Sequence, residues 1–459
     1  LLNVRAIYQR HFWDISLGVW VLLFSYISLV PFYYLQPVVL SSHLPGFLLL
    51  KYLPLCLISC QLLHFGVGAA LKCIPVGRTD IDRYLLFYVS VAAASLMGAE
   101  YLVIGSVKFV YYALTGFVLG HLLVGFSFEP ENLYRLVRWM VGIAGVVALY
   151  GITVYISGDD FLWGEFYAEN NPYYSGPRRV AASIGNAVFA GAYFAICLPY
   201  ALWAAESVKG SQRPLYVILC LLILAALLFT FARGSWIAAG LAAAIYLSPR
   251  LGKIVGRIRR SLSWVRIATA LVVGLLLSPI LEEAGFLNPG QQILYDVQTR
   301  MKQSRELSES EAFRISQYGT TWNILQDHPF LGIGFGNFTR LFQKYRHEMT
   351  PKGFIATTTE NMYLMVASET GFFGIGSFVC LLWAIVRTAF RGYKDSLPGR
   401  GKDLLLASTG AIAGFSLNMM TWDALNQPTV RIVFWMFVGI ALVQVGHSKI
   451  ERETTKRDL

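Results

Sequence analysis

Residues 214–232 read PLYVILCLLILAALLFTFA, an uninterrupted run without a single charged side chain. A helix needs about 20 mostly apolar residues to cross a hydrocarbon core roughly 30 Å thick, and this run is long enough. It ends at Arg233, which is followed by the small residues Gly234 and Ser235. The same pattern extends in both directions. Apolar runs fall at 13–35, 47–71, 84–106, 108–126, 136–157, 181–205, 214–232, 234–248, 265–280, 360–386, 404–420 and 429–447, and each reads as a membrane-spanning helix. The predicted fold is therefore an all-α polytopic membrane protein of about 12 transmembrane helices. Residues 1–280 would carry spans one to nine, 281–359 a large outer loop, and 360–459 spans ten to twelve with a basic tail.

Composition agrees with this reading. The chain has 459 residues, of which 56% are hydrophobic and 14% charged, and its mean hydropathy is +0.53. Soluble domains average about 25% charged residues, so the shortage of charge excludes a soluble enzyme, a disordered chain and a fibre. The chain begins with Leu1. No signal peptide is read at this end, because the first apolar run is too long for a cleaved leader. Cys56, Cys60, Cys73, Cys197, Cys220 and Cys380 lack metal-ligand spacing and read as packing residues.

The net charge of +11 is a topology signal rather than a nucleic-acid footprint. Basic residues collect in alternate loops, most densely from Arg250 to Arg266, from Arg387 to Lys402 and from Lys449 to Arg457. This places both termini in the cytoplasm, with the basic loops facing anionic inner-leaflet lipid. Two outer loops are then long, 158–180 and 281–359. The first contains Asp159-Asp160, read as solvated acids, and the aromatic residues Trp163, Tyr173 and Tyr174. In the second, Ile315, Tyr318, Trp322 and Leu325 recur at helical spacing within 309–327. They predict an amphipathic helix with that apolar face laid over the outer ends of the spans. A loop of this length within a membrane protein usually has a function.

Charged residues at the edges of spans need a partner or a task. Arg233 sits at an outer turn beside small residues, where a guanidinium can clamp phosphate oxygens with paired donors. Arg178 and Arg179 open a second motif, Arg179-Val-Ala-Ala-Ser-Ile-Gly185-Asn186, and Arg314 lies on the predicted loop helix. Glu360-Asn361-Met362-Tyr363-Leu364 opens the tenth span at its outer end, a position suited to proton transfer by Glu360. Glu369, roughly 13 Å further along a helix, would face the bundle interior and shape it through an internal hydrogen bond or ion pair. The glycines of 332–336 lack the Gly-Lys-Ser/Thr ending of a nucleotide loop and read as a turn bringing backbone close to another element. No metal site or Ser-His-Asp arrangement is read.

Four motifs occur in order: Arg179 through Asn186; Arg233-Gly234; Arg314 followed by His328-Pro329-Phe330-Leu331-Gly332-Ile333-Gly334; and Asn361-x-x-Leu364 followed by Glu369-x-Gly371. In this combination the chain resembles the O-antigen ligase and O-antigen polymerase superfamily of bacterial envelope glycosyltransferases. The resemblance implies the membrane-embedded glycosyltransferase fold class, with a polyprenyl-diphosphate-linked glycan as donor, no nucleotide sugar and no cofactor. It further implies that Arg233 and Arg314 contact the diphosphate. The chain departs from the pattern where ligases carry a His directly before the Asn, since Glu360 stands there. Ala182 also replaces a usual Gly, and Ala187-Val188 a usual Pro-Asn.

The Glu favours a polymerase of O-antigen or exopolysaccharide repeat units, acting without metal at the outer face of the bacterial inner membrane. Glu360, Arg233 and Arg314 are then the expected catalytic residues. Arg178, Arg179, Asn186, Asn361, Tyr363, Glu369 and Trp322 are expected to bind substrate. The expected partners are the lipid-linked donor, a glycan or lipid acceptor, membrane lipid and proteins of polysaccharide export and chain-length control; nucleic acid is not expected. The alternatives are an O-antigen ligase and, from another class, a transporter of lipid-linked glycan. A transporter would need polar residues along a path through the membrane centre, whereas most charges here sit at span ends.

Overall fold

The computed structural model describes residues 17–30, 79–110, 129–157, 179–258, 309–350, 356 and 358–457. Every regular element among them is helical. The helices are α1 Leu17–Leu29, α2 Asp82–Ser95, α3 Leu102–Lys108, α4 Pro130–Ser157, α5 Ala187–Ser207, α6 Arg213–Phe229, α7 Arg233–Ile258, α8 Glu309–Asp327, α9 Phe338–Tyr345, α10 Met362–Asp395, α11 Arg400–Asn418 and α12 Pro428–Arg457. Five stretches among the described residues are long and apolar enough to cross a membrane: α4, α5, α6 with the turn before it, α10 and most of α12. Over the described residues the chain is thus all-helical, with the spans of a membrane protein. The expected runs 47–71 and 265–280, and nearly all of 108–126, lie outside the described residues.

Burial separates the centre of the bundle from its rim. Of the apolar window, 94% is buried in α12 and 83% in α5, against 22% in α6. A helix that is apolar on all sides belongs in the interior. Accordingly α5 packs against α4, α6, α7, α11 and α12, and its Tyr200 stacks on Phe437 of α12 with ring centroids 3.9 Å apart. On α6, Leu215, Ile218 and Leu221 stay exposed, as residues on a lipid-facing helix do.

The two ends of the bundle differ chemically. At one end, charged side chains from several helices pair: Arg400 and Arg138 with Glu131 at 3.0 and 3.1 Å, Arg250 with Glu206 at 2.7 Å, Arg452 with Asp395 at 2.9 Å and Lys449 with Asp80 at 3.1 Å. These are the C-terminal ends of α5, α7, α10 and α12 and the N-terminal ends of α4 and α11. The opposite end gathers the start of α5, α7 and α10 with the close of α6 and α11, and the sequence motifs lie there.

The predicted span 84–106 is not one helix. It stops at Ser95 and resumes at Leu102 after a short tight turn. The break is filled by the glycine-rich loop, whose Phe335 N–H donates to Ser95 Oγ at 3.1 Å, while Asn337 Oδ1 accepts from the Tyr101 N–H at 2.9 Å. Interrupted backbone at membrane depth persists only where neighbouring protein satisfies its polar groups. The same loop explains a second break, at Gly371 within α10 (φ 66°, ψ −164°). There Phe372 N–H donates to Pro329 C=O at 2.8 Å and Ile333 N–H to Ser368 C=O at 3.0 Å. A Cβ on Gly371 would lie 2.3 Å from the Phe330 carbonyl carbon, and one on Gly332 2.5 Å from Glu369 backbone. The close backbone approach expected of the glycine stretch is therefore present.

Candidate functional site

The site begins with two capping asparagines. Asn186 Oδ1 accepts from the Val188 N–H at 2.8 Å and starts α5. Asn361 Oδ1 accepts from the Tyr363 and Leu364 N–H groups at 2.9 and 3.2 Å and starts α10. Side chains of this type satisfy the otherwise unpaired donors of a first helical turn. Tyr363 lies half-buried, its hydroxyl donating to Ser416 C=O at 2.8 Å. Both asparagines and Tyr363 therefore shape the ends of helices.

Three non-glycine residues among those described have positive φ: Ala182 (48°), Phe231 (52°) and Glu360 (52°). Each stands within three residues of a motif residue, Arg179, Arg233 or Asn361. Strained backbone of this kind costs about 1–3 kcal/mol per residue and clusters at functional sites. The value at Ala182 also gives a physical reason for a glycine in the family pattern, since glycine adopts positive φ freely.

Arg179 anchors one side of the site. Its Nε donates to Thr230 C=O at 2.7 Å, and the next residue, Val180, donates its N–H to Phe229 C=O at 3.0 Å. A cation on the last carbonyls of α6 is favoured by the helix dipole. The contact fixes the α6–α7 turn that presents Arg233, which is exposed at the first position of α7. Behind Arg233, Gly234 packs so closely on Thr421 that a Cβ there would overlap its side chain, and Ser235 Oγ accepts from Asn418 Nδ2 at 3.0 Å. Arg178 lies outside the described residues, as do Asp159, Asp160, Trp163, Tyr173 and Tyr174.

Arg314 and Glu360 meet just before α10, whose start is tied to the 418–423 turn that packs on Gly234. Arg314 Nε donates to Glu360 Oε2 at 2.8 Å, with the two side chains 44% and 20% exposed. Met362 N–H donates to Met419 C=O at 2.9 Å, tying the start of α10 to this turn. An ion pair of such exposure stabilises by roughly 0.2–1 kcal/mol.

Asp423 is the residue that sequence reasoning missed. It is buried, and desolvation, with the negative charge of Glu360 adding to it, pushes its carboxyl up to about 7 against the hydrogen bonds from Asn426 and Thr358. Its Oδ1, Asn418 Oδ1, Gln427 Nε2 and Thr429 Oγ1 are buried without a hydrogen-bond partner among the described residues. Together they give the corner a polar floor. The available signal was Asp423 itself, the lone acid in the short stretch Met420–Pro428.

The predicted loop helix is present as α8, but its predicted face is reversed. Ile315, Tyr318 and Trp322 are 49%, 58% and 59% exposed, and only Leu325 is buried. The buried face is Phe313, Ser316, Gln317, Thr320, Thr321 and Ile324, and it docks on α10 partly through the Ser368 hydroxyl donating to Thr321 Oγ1 at 3.1 Å. A protein interior with polar partners on both sides overrides the apolar periodicity. Trp322 therefore stands on the open side of α8, the side that carries Arg314.

Glu369 is buried and faces inward. Its Oε1 accepts from the Phe338 N–H at 3.3 Å, and the Gly336 N–H and Lys108 lie beside its carboxyl group. Lys108 Nζ in turn donates to Gly336 C=O at 2.9 Å. Glu369 thus clasps the glycine loop, away from the arginine corner. Among the described residues, no three His, Cys, Asp or Glu side chains gather to hold a metal ion.

No curated protein matches the chain. A family model described as O-antigen ligase matches residues 218–379, a segment that runs from α6 into α10 and contains Arg233, Arg314, the glycine loop, Glu360 and Glu369. That match supports the resemblance of the chain to the O-antigen ligase and polymerase superfamily of membrane glycosyltransferases.

Proposed function

We propose that the protein polymerises polyprenyl-diphosphate-linked oligosaccharide repeat units at the outer face of the cytoplasmic membrane, without a metal ion. The observation that carries this reading is the Arg314–Glu360 pair at 2.8 Å, set beside the turn on which Arg233 is seated. It supplies the two groups the reaction needs, a cation for the leaving group and a base for the nucleophile.

The donor lipid lies against the apolar flank of the bundle, with its diphosphate between Arg233 and Arg314. Arg314 commits only Nε to Glu360, so its terminal nitrogens remain for phosphate oxygens. An acceptor sugar hydroxyl attacks C1 of the donor sugar, its proton passes to Glu360, and the C1–O bond breaks with the electron pair going to the diphosphate. Guanidinium groups already in place stabilise that growing charge, which is often the largest catalytic contribution. Tyr318 and Trp322, four and eight residues beyond Arg314 on α8, extend roughly 12 Å along the helix and offer open aromatic faces to the sugar rings. Arg179 acts through the α6–α7 turn, and Glu369 through the glycine loop.

The family model's description favours a second reading, a ligase passing finished glycan to a lipid or protein acceptor. A chromosomal deletion separates the two. Loss of a polymerase leaves single repeat units on the acceptor, which is the expected outcome, whereas an acceptor bare of any repeat unit would assign ligase activity. Accumulation of donor on the cytoplasmic side would instead indicate a transporter.

A further inference from the structure

At the ion-paired end, a cleft of about 480 Å³ opens between the start of α2 and the last turns of α10, lined by Arg83, Tyr84, Trp383, Arg387 and Arg391 together with Asp80 and Asp82. We propose that this cleft binds the phosphate head group of an anionic membrane lipid. The site is independent of the glycosyltransfer reading. Arg387 lies roughly 24 Å beyond Gly371 along α10, on the side of the bundle away from Glu360.

The arrangement of donors carries the argument. The Arg83 guanidinium lies 4.7 Å from the Tyr84 ring centre and donates to the Tyr84 hydroxyl at 3.0 Å; that of Arg387 lies 4.6 Å from the Trp383 ring centre. Tyr84 and Trp383 meet edge to face at 6.3 Å. Each guanidinium is held beside an aromatic ring by cation–π attraction, and its remaining N–H donors suit phosphate oxygens. Among the described residues, none of Arg83, Arg387 and Arg391 is in an ion pair.

Both carboxylates in the cleft are already engaged. Asp80 pairs with Lys449 at 3.1 Å, and Asp82 accepts from the Thr79 hydroxyl and, at 2.9 Å, from the Thr79 N–H. The cleft therefore presents net positive charge. Its surroundings select a lipid over a free anion: Leu86, Phe87, Val379 and Trp383 are 63%, 51%, 46% and 52% exposed on the same two helices, an apolar wall for acyl chains. Basic pockets between helices at the membrane boundary recognise anionic lipid head groups by this combination.

Native mass spectrometry of the purified full-length protein, titrated with phosphatidylglycerol, phosphatidylcholine or inorganic phosphate, tests the proposal. Phosphatidylglycerol should bind at least five-fold more tightly than phosphatidylcholine, and the Arg387→Gln/Arg391→Gln variant should lose at least five-fold of that affinity. The control Arg213→Gln, which removes an exposed charge outside the cleft, should bind within two-fold of wild type. Equal binding of the two lipids, equal binding by the double variant, or an equal loss in the control would overturn the proposal. Full displacement of phosphatidylglycerol by millimolar inorganic phosphate would overturn the choice of a lipid. Should the double variant fail to fold, Arg83→Gln at an exposed position must show at least a two-fold loss, and its absence counts against the site.

Discussion

Arg314 and Glu360 are separated by 46 positions in the chain, yet their side chains meet at 2.8 Å. The contact joins the loop helix α8 to the first residues of α10, beside the turn that seats Arg233 through Gly234 and Thr421. The charged residues of the sequence motifs thereby lie at one end of the bundle, while the ion pairs of Glu131, Glu206, Asp395 and Asp80 lie at the other.

On the proposed mechanism, replacing either arginine removes a positive charge that stabilises the leaving diphosphate. Arg233→Ala and Arg314→Ala should each lower polymer formation by about 10²-fold or more, by analogy with removal of an oxyanion donor. Arg233→Lys should also be impaired, because an ammonium lacks the planar fork. Polymer resolved by gel, with protein level measured in parallel, reads the effect; unchanged chain length at equal protein level would remove the arginines from the mechanism.

For Glu360 the comparison is between Gln and Asp. The Gln variant cannot accept a proton and should lose about 10²-fold or more in turnover, whereas Asp retains a shorter base. Equal turnover of the Gln and Asp variants in an assay of purified protein would exclude Glu360 as base.

Asp423 makes stability depend on pH. Its folded carboxyl titrates at about 7 because burial disfavours the charge, against about 3.9 in an unfolded chain. Between those values the folded state holds a proton that the unfolded state has released. Its contribution is therefore fully present below about pH 4 and is lost as pH rises through about 7. Thermal unfolding of purified protein should show Tm falling between about pH 4 and pH 7, and Asp423→Asn should flatten that fall by a few degrees. Parallel curves for the two proteins would contradict the assignment.

The clasp between α10 and the glycine loop is testable through Gly371. Its φ is 66°, and a methyl group added there would sit 2.3 Å from the Phe330 carbonyl carbon. Gly371→Ala therefore combines strain with overlap against backbone, a loss of about 2 kcal/mol or more. Detergent-extracted yield and Tm should both drop. A variant with wild-type Tm would show that the loop yields easily.

Much of the bundle was readable because long apolar runs form helices: α4, α5, α6, α10, α11 and α12 overlie the predicted runs, with α10 and α12 running on by nine and ten residues. The helical loop segment was also readable, but the side on which α8 packs was not. Periodicity assumes an apolar face turned inward, and α8 instead buries Ser316, Gln317, Thr320 and Thr321 against α10. The break between Ser95 and Leu102 was hidden for a related reason, since the groups that satisfy it come from Phe335 and Asn337, far away in sequence. Arg233, Arg314 and Glu360 could be singled out individually as charges at span ends. The contacts that set Arg233 and Glu360 beside one turn, at Thr421 and Met419, are tertiary, and Asp423 gave only a faint local signal.

The most direct test of the central claim is to incubate the purified protein with a polyprenyl-diphosphate-linked repeat unit in the presence of a metal chelator and to resolve the products by size. Wild type should extend the glycan and release polyprenyl diphosphate, while Arg314→Ala and Glu360→Gln, present at equal concentration, should do neither. Extension that requires added metal, or that persists in both variants, would contradict the account.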